Sequence, residues 1–131
     1  MELHLKIIGF ILILLAMIHL AFPRYFKWEA ELASLSLINR QLMYVHTFFI
    51  ALAVFLMGVL CITAAPELIT TALGRKLSLG LAVFWVVRLY VQVAIYSSRL
   101  WKGKPFETAI HVLFLVLWSY FSVIFFLCFR G

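Results

Sequence analysis

The sequence is short of charge, and of negative charge above all. Only 12% of its 131 residues are Asp, Glu, Lys or Arg, and five are acidic, where soluble domains carry about a quarter charged residues. All five acids, Glu2, Glu29, Glu31, Glu67 and Glu107, fall outside the long apolar runs or at their edges. Two membrane-bundle chemistries are thereby excluded. Di-iron centres need inward Glu and Glu-x-x-His sets, and cation-coupled transport commonly uses an intramembrane Asp or Glu.

Cysteine is equally sparse. Cys61 and Cys128 form no CxxC, no zinc-finger spacing and no disulfide framework. The positions fall near the far ends of the second and fourth apolar runs, where a thiol pair is conceivable, but two small apolar core residues are the simpler account. There is no Gly-rich phosphate loop, nucleophile elbow or HExxH, so hydrolase chemistry has no constellation to stand on. Internal repeats and low-complexity tracts are also missing.

What remains is apolar. Hydrophobic residues make up 66% and the mean hydropathy is +1.13, which a soluble globular domain does not reach. Four apolar runs, at about 5–22, 42–65, 77–96 and 106–129, are each long enough to cross ~30 Å of hydrocarbon at ~1.5 Å per residue. The expected fold is all-α: an integral membrane four-helix bundle forming one transmembrane domain over 1–131, with both termini on the same side. The first run exceeds a usual signal-peptide core and is followed by bulky aromatics, so it reads as a span. Pro23 and Pro66 are expected to end the first and second helices.

The longest connection, within 24–41, carries Tyr25, Phe26 and Trp28, then Leu32, Leu35 and Ile38, among Lys27, Glu29, Glu31 and Arg40. That pattern resembles a short interfacial helix. Trp28, Trp101 and Tyr25 suit an aromatic belt, and 97–105 reads as a tight loop set by Gly103 and Pro105.

Eleven basic residues against five acids would suggest nucleic acid in a soluble protein. Beside apolar helices they fit the lipid bilayer, its anionic headgroups and topology instead, so no nucleic-acid partner is expected. Arg24, Lys27, Arg40, Arg99, Lys102 and Lys104 fall on one side, against Lys6, Arg75, Lys76 and Arg130 on the other. In a bacterial inner membrane this places the long connection in the cytoplasm and the N and C termini outside.

Ionisable groups inside hydrocarbon are costly and face a bundle interior or a wet cavity. The polar groups to locate here are His19, His46, Arg88, Gln92 and His111. Counted from the run ends, the three histidines and Gln92 fall at one depth, roughly 6 to 8 Å below the more basic surface at ~1.5 Å per residue. Helical spacing predicts inward stripes through His19, Ala16, Leu12 and Gly9; through His46, Ile50, Ala53, Met57, Gly58 and Cys61; through Leu81, Trp85, Arg88, Gln92, Tyr96 and Arg99; and through His111, Leu115, Trp118 and Ser122.

Each histidine alone has a plain account, an amphipathic ring with its polar edge at the headgroups. Taken together, they suggest a redox cofactor for electron transfer or oxidoreduction. His46 and His111 are the best-matched pair for a b-type haem, with His19 as alternative ligand and Arg24, Arg40, Arg99, Lys102 and Lys104 for the propionates. A transition metal held by His19, His46 and His111 is the sister reading. A quinone would instead use His46, His111, Arg88 and Gln92 as donors and Tyr90, Trp85 and Trp118 as a slot. Arg88 has no carboxylate at its depth and so favours a ligand or cavity contact. The alternative is a non-catalytic subunit of a larger membrane complex, whose polar residues fix helix packing and whose basic loops dock a partner or lipid.

Overall fold

The computed structural model describes residues 1–96, 98–100 and 102–131. The protein is all-α, with no strand among the described residues. Four helical segments are long and apolar enough to cross a membrane, Glu2–His19, Leu37–Thr63, Ala72–Ile95 and Pro105–Arg130. It is a multi-pass membrane protein. By contact the chain divides into two compact units, Leu3–Ala65 and Pro66–Gly131, the latter with Met1–Glu2.

In the first unit, α1 (Glu2–His19) and α4 (Leu37–Thr63) are the long helices, with α2 (Phe22–Tyr25) and α3 (Trp28–Glu31) in the connection between them. Residues buried on α1 are Leu5, Ile8, Gly9, Leu12, Leu15 and Ala16, and on α4 Ala51, Val54, Gly58 and Cys61. Both sets recur at helical spacing, so each helix has one packed face and one apolar face open to lipid. The two backbones meet at glycine. A Cβ on Gly58 would sit 2.8 Å from the Gly9 carbonyl oxygen, and one on Gly9 would sit 2.7 Å from that of Gly58. Membrane helices gain packing through such close approach. The neighbours of these glycines, Ile62 for Gly9 and Ile13 for Gly58, show that α1 and α4 run antiparallel.

The connection is not one interfacial helix. It forms two single turns, α2 (Phe22–Tyr25) and α3 (Trp28–Glu31), before α4 begins at Leu37. Lys27 separates them in the left-handed conformation, φ 55°, ψ 49°. Pro23 does not terminate α1, which stops at His19; it opens α2, in the first turn, where its missing N–H costs nothing. Ser36 caps α4 by accepting from the Asn39 N–H at 3.4 Å, which starts that helix earlier than its apolar run. Tyr25 is exposed as a belt residue would be, but Trp28 is buried, edge-on to Tyr44 with ring centroids 5.4 Å apart.

The second unit begins with an elbow. Pro66 sits inside α5 (Ala65–Thr70), not at the end of α4, and Thr71 caps α6 (Ala72–Tyr90), accepting from Gly74 N–H at 2.9 Å. Ser78, fully buried, donates to the carbonyls of Gly74 at 2.9 Å and Leu68 at 3.3 Å. A Cβ at Gly74 would land on the Glu67 carbonyl, so only glycine fits there. After α6 the helix widens into a π-helical turn, Val91–Ile95, closed by Tyr96 N–H donating to the Val91 carbonyl at 3.2 Å. A 3-10 turn, Ser98–Leu100, leads through Gly103 (φ +76°) to α7 (Pro105–Arg130). Ser97 and Trp101, which the sequence places in the tight loop and the belt, lie outside the described residues.

Candidate functional site

The second unit assembles a polar chain against an aromatic stack. On α6, Trp85 and Arg88 share a face, and the π-helical turn carries Gln92 on along it. Isolated π turns of this kind are frequent at functional sites. Arg88 Nη1 donates to Gln92 Oε1 at 3.4 Å, a long bond, and Gln92 Nε2 lies 2.9 Å from His111 Nδ1 on α7. Gln92 is 5% exposed and His111 half-buried.

The order of donors in this chain follows from Arg88. A guanidinium only donates, so the Gln92 atom facing it is the carbonyl oxygen. The amide NH2 therefore faces His111 and donates to Nδ1, which puts the imidazole proton on Nε2. In this arrangement neither nitrogen of His111 offers a lone pair to a metal. Ligation would require Gln92 to turn away.

The guanidinium carbon of Arg88 lies 5.3 Å from the ring centroids of both Tyr96 and Trp118. Cation–π attraction at such distances is worth ~0.5–2 kcal/mol. Among the described residues Arg88 has no carboxylate partner. Trp118 stacks on Trp85, centroids 4.9 Å apart and planes 17° apart, and on Phe114 at 5.3 Å and 15°. Phe121 closes edge-on to Trp85 at 5.1 Å. Both indoles are buried, at 3% and 5% exposure. Neither indole Nε1 finds a hydrogen-bond partner among the described residues. A buried donor left unmade costs ~1–3 kcal/mol, so two adjacent ones are an unusual concentration.

The stripes predicted for the third and fourth spans therefore hold where it matters: Trp85, Arg88 and Gln92 meet His111 and Trp118, and Ser122 is buried on the same helix as these last two. Phe114 lies outside the predicted stripe, although its place four residues before Trp118 on one helix face is a usable signal.

The first unit departs from expectation. His19 is the last residue of α1, its Nδ1 2.7 Å from the Leu15 carbonyl and its ring 4.7 Å from Phe22. His46 is exposed, as are Ile50 and Ala53, and the packed face of α4 runs instead through Ala51, Val54, Gly58 and Cys61. The stripe expected through His46 is thus correct only from Gly58 onward. The antiparallel register of Gly9 against Gly58 sets His19 beside about residue 48 of α4, within roughly 3 Å of the level of His46 at ~1.5 Å per residue. His111, Arg88 and Gln92 belong to the other unit. Among the described residues no group of three or more His, Cys, Asp or Glu is arranged to hold a metal ion. Cys61 and Cys128 are buried, one in each unit.

No protein-family model, curated protein or solved structure matched the chain.

Proposed function

We propose that this membrane protein binds the head of a quinone at the Arg88–Gln92–His111 chain and serves electron transfer or oxidoreduction. The observation that carries the reading is the pairing of that chain with two buried indole N–H groups that have no acceptor among the described residues. A quinone ring brings carbonyl acceptors and no donors, which complements a site whose unsatisfied groups are donors. Its flat ring matches the stacked faces of Trp85, Trp118 and Phe114, and the Arg88 guanidinium favours negative charge on the reduced ligand.

Haem b on His46 and His111, or a transition metal on His19, His46 and His111, asks more of the protein. Gln92 would have to turn away from His111 before a ring nitrogen could ligate. The non-catalytic alternative draws its support from His19, whose hydrogen bond stays within its own helix. For topology, the same reading takes a bacterial inner membrane with both termini outside, so that a periplasm-dependent phosphatase fused to the C terminus is expected to be active.

Titration of the detergent-solubilised protein with a short-chain benzoquinone, followed by tryptophan fluorescence, tests the proposal. Saturable quenching that weakens in Arg88→Gln and Trp118→Phe is expected, together with a quinone in the solvent extract of the purified protein. Linear, non-saturating quenching with no extracted quinone would overturn it, and a Soret band would move the assignment to haem.

A further inference from the structure

A second site stands in the first unit, independent of the quinone reading. An open surface groove of about 680 Å³ lies where α2, α3 and the start of α4 meet, lined by Pro23, Arg24, Lys27, Glu29, Ala30 and Tyr44, of which all but Pro23 are exposed. Its volume lies within the roughly 300–1,000 Å³ of small-molecule sites. Its lining carries both signs of charge, yet none of Arg24, Lys27 or Glu29 forms an ion pair among the described residues. Two cations and a carboxylate that share one groove without meeting leave room for a ligand that answers both.

Position narrows the class. The groove belongs to the connection between two membrane-length helices, Glu2–His19 and Leu37–Thr63, and therefore stands at the membrane–water boundary. The same connection exposes apolar side chains: Tyr25 is 65% exposed and Phe26 50%, and Leu37 and Ile38 at the start of α4 are exposed too. The backbone is bent to make the site, for Lys27, between its two turns, is the one non-glycine residue at positive φ among those described. Left-handed backbone in a residue with a Cβ is costly and clusters at ligand sites.

We propose that this groove binds the headgroup of an aminophospholipid, phosphatidylethanolamine being the simplest. Arg24 and Lys27 take the phosphate, and Glu29 accepts from the primary ammonium, whose charge also faces the Tyr44 ring. The acyl chains lie over Tyr25 and Phe26. An anionic lipid without an amine satisfies only half of the lining and meets repulsion from Glu29, while a quaternary ammonium has no N–H to donate.

Native mass spectrometry of the full-length detergent-solubilised protein, titrated with dioleoyl phosphatidylethanolamine, phosphatidylglycerol or phosphatidylcholine, tests this, with soluble glycerophosphoethanolamine as a separate arm. Phosphatidylethanolamine is expected to be retained about tenfold more tightly than either other lipid, the scale of one charge-assisted hydrogen bond. Glu29→Gln should erase its advantage over phosphatidylglycerol, and Arg24→Gln with Lys27→Gln should weaken both, at unchanged helix content by circular dichroism. Equal retention of the three lipids, or a preference that survives Glu29→Gln, overturns the proposal. Glycerophosphoethanolamine binding as tightly as the lipid would overturn the assignment to a membrane ligand.

Discussion

Gln92 Nε2 and His111 Nδ1 lie 2.9 Å apart across nineteen positions of the chain, joining the π-helical turn to α7. The contact also fixes a register. Trp85 stacks on Trp118, and seven residues further along α6 and its π turn Gln92 meets His111, seven residues back along α7. That is the order of an antiparallel pair two turns apart.

The tautomer of His111 follows from this contact and can be read directly. Nitrogen-15 NMR of the imidazole is expected to show the proton on Nε2 in the native protein. In Gln92→Glu the carboxylate pairs with Arg88 and only accepts, so the ring proton should move to Nδ1. The same spectrum in both proteins would break the Arg88–Gln92–His111 order.

Gln92→Leu removes the chain without adding a charge. Side-chain hydrogen bonds inside membrane proteins average ~0.6 kcal/mol and reach ~1.7, so a stability loss of about 0.5–2 kcal/mol is expected on unfolding in mixed micelles. Benzoquinone binding should fall by more than that loss. Unchanged binding would leave Gln92 as a packing residue.

The reach of the sequence differs between the two units. Four apolar runs, and the stripe from Trp85 through Gln92, follow from composition and 3.6-residue spacing, because lipid forces each span to satisfy its backbone within the helix. The π turn carries no local signature, since its wider hydrogen bond is decided by packing. His46 falls off the packed face because α4 is apolar on every side, so spacing alone does not tell which stripe packs. Ser36 followed by Asn39 is a legible cap, and it sets the start of α4 at Leu37, well before His46. Lys27 in left-handed backbone has no signal at all, because glycine or asparagine is the residue that marks that conformation.

Three glycine substitutions should separate by contact. Gly58→Ala drives a methyl group to 2.8 Å from the Gly9 carbonyl oxygen, a backbone atom that cannot yield cheaply. A loss of about 1–3 kcal/mol is expected, the range of overpacking. Gly74→Ala, aimed at the Glu67 carbonyl, should cost at least as much. A methyl group at Gly80 would meet nothing within 4 Å, and Gly80→Ala should gain about 0.5–1 kcal/mol through helix propensity. Equal effects at all three sites in a denaturation series would contradict the α1–α4 contact.

Lys27 tests the strained backbone and the headgroup groove together. Holding a residue with a Cβ in left-handed backbone costs roughly 1–2 kcal/mol, while glycine returns roughly 0.5–1 of that through its freer unfolded chain. Lys27→Gly is therefore expected to stabilise the protein by about 0.5–1 kcal/mol, from those two magnitudes. It also removes one of the two cations of the groove, so phosphatidylethanolamine binding should weaken at the same time. Lys27→Gln keeps the strain and loses only the charge, and should weaken binding without the gain. Opposite movement of stability and lipid affinity in the glycine variant, with affinity alone changing in the glutamine variant, is the pattern that ties the bent backbone to the ligand; a glycine variant that binds lipid as the native protein does would leave Lys27 with no part in the groove.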